Sequence, residues 1–248
     1  MCFTVAVRSH SPPLDSAVTS HLIFDFFGTL VAYSPSRTSQ GYCASHRFYT
    51  ANGGQLDYPT FLECWVAGSA ELDASTSENH NEYSMVDAAQ SFQRHASFAS
   101  DAGVLEELAA LYLREWNKGV RYIDGVSLML RRLSDRFDLS IITNTHDLDL
   151  VPNHLQLMGI DRLFSRVITS VGFGRRKPSP SIFDFALSEL SVSPSQCIYV
   201  GDSHVPDFEG PRAVGIRPLL IDPDCTAPVN PDERIHSILG LEAVLAAV

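Results

Sequence analysis

Along the chain, the spacing of apolar and polar positions changes rhythm twice. Residues 22–26 read Leu-Ile-Phe-Asp-Phe, an apolar run broken by one aspartate, and lead straight into Gly28-Thr29. Strand-forming residues that stop at a glycine predict a β-strand followed by a tight turn. A turn-rich segment at 33–38 leads out of it, and from there to about Gly119 the spacing is helical. Residues 39–50 carry Tyr42, Phe48 and Tyr49 and stop at Asn52-Gly53-Gly54, a helix terminator. A second helix is expected over 59–72, with Phe61, Leu62, Trp65 and Val66 on one side. Residues 73–82 are polar without periodicity and read as a mobile loop. A third helix is expected over 84–98. The fourth, 101–118, is the most regular: Asp101 suits an N-cap, and Val104, Leu105, Leu108, Leu111 and Tyr112 form one stripe.

From Tyr122 helices and strands alternate. Helices are expected over 125–136, 148–158, 179–190 and 207–214, and strands over 139–143, 166–169, 197–200 and 217–221. Such alternation implies right-handed crossovers and a parallel sheet covered by helices on both faces. The expected architecture is therefore α/β, a doubly wound, Rossmann-like sheet with an α-helical cap inserted after the first strand. Residues 21–36 and 120–248 would form the core, 37–119 the cap, and 1–20 a loose extension containing Pro12-Pro13.

Composition narrows the function classes. A chain of 248 residues with 45% hydrophobic content can bury a substantial core. A net charge of -11 argues against a nucleic-acid partner, because phosphate backbones need a basic face. A small anionic substrate stays open, since a few local donors and a metal ion outweigh the overall field. No run approaches the ~18 apolar residues of a membrane span, and the N-terminus lacks a charged, apolar leader pattern, so no membrane role is expected. Five dispersed cysteines, Cys2, Cys43, Cys64, Cys197 and Cys225, read as reduced, buried thiols of a cytoplasmic protein.

The polar residues that stand out fall just after strands. A carboxylate ending an apolar run is costly to bury, so Asp25 is not ordinary core. Thr143-Asn144 follows the second core strand and Asp202 the fourth, with Lys177 ahead of a helix and Asp207 close behind Asp202. Ends of neighbouring parallel strands line one crevice. A carboxylate, a hydroxyl, a lysine and a carboxylate pair gathered there suit phosphoryl transfer. An aspartate can act as nucleophile, hard oxygen ligands suit Mg²⁺, and the hydroxyl and lysine can hold phosphoryl oxygens.

Four ordered motifs carry a resemblance: Asp-Phe-Phe-Gly-Thr at 25–29, the strand-terminal Thr143, Lys177 within Gly-Arg-Arg-Lys-Pro-Ser-Pro-Ser-Ile-Phe, and Gly-Asp-Ser-His-Val-Pro-Asp at 201–207. Over residues 21–31 and 122–222 the chain resembles the haloacid dehalogenase-like hydrolases, whose helical-bundle caps close over substrate. The resemblance implies Asp25 as nucleophile and metal ligand, and Thr143 and Lys177 as holders of the phosphoryl group. Asp25, the main-chain carbonyl of Phe27, Asp202 and Asp207 would bind Mg²⁺. Gly28, Thr29 and Asn144 would contact a small phosphorylated metabolite.

One position departs from the family's phosphatases, which place a general acid/base aspartate two residues after the nucleophile. Here that residue is Phe27, and loss of a positioned proton donor costs ~10²–10⁴-fold in rate. A substrate with a good leaving group, such as an acyl phosphate, needs no such donor. His146 and His204 are the nearest substitutes, although exposed loop histidines are the expected reading of both. Phe27 also resembles the family's metal-independent dehalogenases, which rely on an early arginine; Arg37 and Arg47 are the candidates. The Asp202/Asp207 pair speaks against that alternative. A phosphonate-cleaving lysine would have to be Lys118, and a catalytically degenerate scaffold that only binds a ligand or partner is the remaining alternative. Tyr42, Phe48, Tyr49, Phe61 and Trp65 are expected as bundle core, and His46, His80 and His95 lack metal-ligand spacing. Arg175-Arg176 is expected as a solvated loop.

Overall fold

The computed structural model describes residues 19–33 and 41–246. The expected N-terminal extension up to residue 18, Cys2, Arg37 and most of the turn at 33–38 lie outside the described residues.

Strand β1 (His21–Phe24) is buried throughout, and a glycine turn links it to the two-residue β2 (Val31–Ala32). Four helices follow: α1 (Cys43–Ala51), α2 (Tyr58–Thr76), α3 (Met85–His95) and α4 (Ala102–Asn117). Their ends are set locally. Asp57 accepts the Thr60 N–H at the start of α2, Asp101 accepts that of Val104 at α4, and Ser84 with Asp87 closes a capping box on α3. The apolar faces meet in a core of their own, in which Trp65 and Tyr42 stack on Tyr112 with ring centroids 4.0 and 4.2 Å apart. Tyr42, Tyr49, Phe61 and Trp65 are buried there, with Phe48 packed partly against them.

The chain returns through β3 (Arg121–Tyr122), which pairs antiparallel with β2, so both crossings between helices and sheet lie side by side. Then come α5 (Val126–Ser134), β4 (Asp138–Thr143), α6 (Leu150–Leu157), β5 (Phe164–Thr169), α7 (Ser170–Phe173) and α8 (Pro180–Leu190). The last elements are β6 (Cys197–Gly201), a π-helical turn at His204–Glu209, α9 (Gly210–Ala213), β7 (Arg217–Ile221), β8 (Arg234–Ile235) and α10 (Leu241–Ala246).

Six strands form one parallel sheet in the order β5-β4-β1-β6-β7-β8. Alternation along β1 explains its two covered faces. Leu22 and Phe24 pack with α5, α6 and α10, whereas Ile23 packs with α8. From β1 the chain builds outward through β4 and β5, then returns to lay β6 on β1's other side. That reversal opens a crevice beyond the C-terminal ends of β1 and β6. Among the described residues, no helix is long and apolar enough to cross a membrane.

Several expectations need correction. Residues 73–82 are not a mobile loop: α2 runs on to Thr76, and Glu82 is buried against the sheet domain. Arg176 is only partly solvated, since it pairs with Glu82 and Asp73. Of the four described cysteines only Cys197 is buried; Cys43 and Cys225 are exposed. The two short strands β2 and β3, β8 and α10 carry too little periodicity to be read locally.

Candidate active site

The crevice gathers the residues from four separate loops. β1 ends one residue before Asp25, whose N–H still donates to Val200 O at 2.9 Å, so the carboxylate stands at the sheet edge. Asp202 follows β6 directly, Thr143 closes β4, and Lys177 precedes α8. Carboxylate oxygens of Asp25, Asp202 and Asp207 lie within 4.8 Å of one another. Gly28 makes this approach possible. Its φ is +88°, and a Cβ there would lie 2.3 Å from Asp202 Oδ2. Thr29, also buried, donates to Asp202 Oδ1 at the long distance of 3.5 Å.

Lys177 is the counterweight. Its Nζ donates to Asp25 Oδ1 (2.8 Å), Asp207 Oδ1 (2.5 Å) and Tyr199 Oη (2.7 Å). Burial alone would lower its pKa, but the charges of Asp207 and Asp25 outweigh that and hold it protonated. Tyr199 in turn donates to Ile142 O at 2.8 Å, and burial next to Asp207 and Asp25 pushes its phenol well up, so it stays neutral. Asp207 is fixed by the N–H of Ser203 at 3.0 Å. Asn144 holds the Lys177 backbone with both ends of its amide, accepting from N at 2.8 Å and donating to O at 3.1 Å. It therefore positions the lysine, a role that its sequence context does not suggest.

Three carboxylates face a single ammonium, and the imbalance is visible in Asp202. Burial first, then the charges of Asp25 and Asp207, push its pKa up to about 7. Hard oxygen donors this close, with more negative charge than Lys177 offsets, fit a divalent cation such as Mg²⁺. Thr143 Oγ1 is buried with no hydrogen-bond partner, an unsatisfied hydroxyl at the same strand ends.

Phe27 points to a different neighbourhood. Its ring meets Trp116 of α4 at 5.2 Å, Tyr33 at 6.2 Å and Phe26 at 5.0 Å, all edge-on. Phe27, Tyr33 and Trp116 wall a cavity of about 350 Å³ between the helical bundle and the sheet, closed further by Tyr83, Met85, Leu113 and Leu150. His146 lines this cavity, stacked on Tyr83 at 4.3 Å with Nδ1 3.0 Å from Tyr83 O. It is thus a packed residue and not a free loop histidine. His204 lines a separate groove with Gly28 and Asp202, and it stacks on Phe208 at 5.6 Å. His154, behind Phe27, is spent on Asn117 Oδ1 (2.6 Å) and Tyr122 Oη (3.0 Å) at the crossing strands.

A strap next to Lys177 ties bundle to sheet. Glu82 N donates to Gly174 O (3.1 Å), Arg176 N to His80 O (2.8 Å) and Met85 N to His146 O (3.0 Å). Under this backbone pairing, Glu82 receives Arg176 Nη2 and Ser170 Oγ, each at 2.5 Å, and lies 3.2 Å from His146 Nδ1. Arg176 also reaches Asp73 at 3.0 Å and covers the Tyr83 ring. Local spacing gave no sign of Tyr199, Glu82 or Ser170, although a tyrosine within the buried run Cys-Ile-Tyr-Val ahead of Gly201-Asp202 was a usable clue.

Comparison with known proteins agrees with this geometry. A family model described as haloacid dehalogenase-like hydrolase matches residues 62–221. Ribulose-1,5-bisphosphate 5-phosphatase of Halopiger xanaduensis is 27% identical over 208 residues, 82% of this chain and 84% of that protein. Human haloacid dehalogenase-like hydrolase domain-containing protein 3 is 30% identical over 160 residues, 62% of this chain and 63% of that one. The crystal structure of 2-haloacid dehalogenase from Pseudomonas syringae superposes with a TM-score of 0.69 at 24% identity, covering 93% of this chain and 99% of that one. The chain belongs to the haloacid dehalogenase-like hydrolase family.

Proposed function

We propose that this hydrolase is a Mg²⁺-dependent phosphatase of a small phosphorylated metabolite, working through a phospho-aspartate on Asp25. The observation that carries the reading is the cluster of Asp25, Asp202 and Asp207, with Lys177 paired to the buried Asp25 and Asp207. Relatives that act as phosphatases support it, among them the ribulose bisphosphate phosphatase above.

In this reading a carboxylate oxygen of Asp25 forms the bond to phosphorus while the bond to the leaving oxygen breaks. Water then releases phosphate and regenerates Asp25. Lys177 orients Asp25 through Oδ1, and its charge offsets part of the repulsion between carboxylate and phosphate. Thr143 offers its unpartnered hydroxyl to a phosphoryl oxygen. Asp25, Asp202 and Asp207, with the Phe27 carbonyl, would hold Mg²⁺, which supplies charge neutralisation for the transferring group. Tyr199 and Asn144 position Lys177 from below and behind. Phe27 offers no proton, so the leaving oxygen departs as an anion.

The test is phosphate release from phosphorylated metabolites, with Mg²⁺ or with chelator, by the wild type and Asp25→Asn. Release that requires Mg²⁺ and falls by ~10⁴-fold or more in Asp25→Asn is expected, as for removal of a nucleophile. Metal-independent halide release from 2-haloacids, lost in the same variant, would instead establish the dehalogenase reading that Phe27 favours. Of the arginines that chemistry requires, Arg47 is exposed on α1 and Arg37 lies outside the described residues.

A further inference from the structure

The cleft has two chemically opposite walls, and the second one constrains the substrate. The cavity is lined by Phe27, two residues beyond Asp25, and by Asn144, which follows Thr143, and Tyr33 in the same lining feels the charges of Asp202, Asp25 and Asp207. It is therefore the space into which the non-phosphoryl part of a substrate would project. Among the described residues lining it there is no lysine, arginine, aspartate or glutamate. The one histidine in the lining, His146, already faces the Glu82 carboxylate at 3.2 Å through Nδ1, so a second phosphate or a carboxylate placed there would lose its hydration without gaining a free counterion, which is strongly unfavourable. Rings from both sides of the cleft, Phe27, Tyr33 and Trp116, instead offer flat apolar area.

Phe27 adds an independent constraint from reactivity. It occupies the turn between Asp25 and Gly28 and packs into the aromatic wall, edge-on to Trp116. No carboxylic acid reaches the leaving oxygen from this position, so the leaving group must be stable as an anion. Phenolates meet that demand and alkoxides do not. The same side chain thus removes the acid and supplies a surface for a ring.

We propose that the preferred substrates are aryl phosphate monoesters, with the uncharged ring seated against Phe27 and Trp116 and the phosphate at Asp25. This rests on the phosphatase reading above. The reaction balances without a further reactant: Asp25 gains the phosphoryl group, the phenolate leaves with the electrons of the P–O bond and takes a proton from solvent, and water cleaves the phospho-aspartate.

The test compares kcat/KM with Mg²⁺ for phenyl phosphate, benzyl phosphate, phosphoglycolate and acetyl phosphate, each against Asp25→Asn. Benzyl phosphate keeps the ring but leaves as an alkoxide, phosphoglycolate adds a carboxylate, and acetyl phosphate has a good leaving group without a ring. Phenyl phosphate is expected to exceed benzyl phosphate by ~10²-fold or more and phosphoglycolate by at least ~10-fold. Met85→Arg, which puts a cation into the cavity, is expected to shift the preference toward phosphoglycolate by about 10-fold. The wild-type comparison stands even if that variant does not fold. Asp25-dependent turnover of acetyl phosphate or phosphoglycolate, with phenyl phosphate no better than phosphoglycolate or benzyl phosphate, overturns the aryl proposal and leaves the phosphatase reading standing. No Asp25-dependent release from any of the four overturns both.

Discussion

The sheet side of the cleft and its bundle side are held together by different physics. On the sheet side, charged groups are buried and two of them are fixed by several partners: Lys177 by three acceptors, Asp207 by Lys177 and the Ser203 N–H. Moving any one of them strands the others in a low-dielectric site. On the bundle side, Phe27 meets Tyr33 and Trp116 edge-on, and those two rings lie tilted against each other. Such contacts are individually weak and tolerate a change of shape. The lesson is a division of labour. In the proposed phosphatase, the strand ends hold the groups that act on phosphorus, and the aromatic wall is free to select what phosphorus is attached to.

Phe27→Asp is the variant that most directly breaks this division, because it puts a carboxyl group into the aromatic wall. Turnover of esters with poor leaving groups, such as benzyl phosphate, is expected to rise by ~10²-fold, the typical worth of a positioned general acid. Phenyl phosphate should gain less. Equal rates in the variant and wild type for benzyl phosphate would mean that the missing acid is not what limits the enzyme.

How much of this could be read in advance follows the same division. Asp25, Thr143 and Asp202 are legible because each sits at the end of a strand, and the parallel topology brings strand ends together without further information; Lys177 and Asp207 each adjoin a proline in the loops that follow. The bundle core was legible from helical spacing, as at Leu105, Leu108 and Tyr112. The strap was not. Glu82 and Arg176 are 94 residues apart, and each lies in a polar stretch that looks solvated until the two are seen paired. Tyr199 was hidden differently: in a buried strand a tyrosine reads as bulk, and its hydroxyl matters only once Lys177 is known to lie 2.7 Å away. Asn144 was noticed, but not its hold on the Lys177 backbone. Local patterns report what one segment buries, whereas pairings between distant polar segments leave no period to detect.

The strap is where the two sides meet, so cutting it sharpens the comparison. Glu82→Ala leaves Arg176 without its main partner and Ser170 without its acceptor. A stability loss of ~2–4 kcal/mol is expected, less than for a wholly buried pair because Arg176 stays partly solvated. Denaturant unfolding measures it. Hydrogen exchange should quicken at His80–Met85 and at 174–176 while β1 and β6 stay protected. Uniform loss of protection across sheet and bundle would show that the strap does not act locally.

The smallest expected effect is the pH response of that strap. Burial pushes the Glu82 carboxyl upward, but the hydrogen bond and charge of His146, the Ser170 hydroxyl and Arg176 together outweigh it and hold the group below its usual value of 4.5. A carboxylate depressed in the folded state contributes stability above its unfolded pKa and loses it as pH falls through the folded one. The seam between bundle and sheet should therefore be at full strength near neutrality and weaken in acid, starting below about pH 4.5. Glu82→Gln keeps the shape and removes the titration, so its stability should change less between pH 6 and pH 3.5 than that of the wild type. Parallel pH profiles for the two proteins would place the acid sensitivity at other carboxylates held below their usual value, such as Glu115 and Asp222. The crevice responds in the opposite sense at Asp202, whose raised pKa makes the metal-free fold gain stability on acidification toward its unfolded value. A wild-type profile that falls in acid while the Glu82→Gln profile rises would separate the two walls of the cleft by their protons alone.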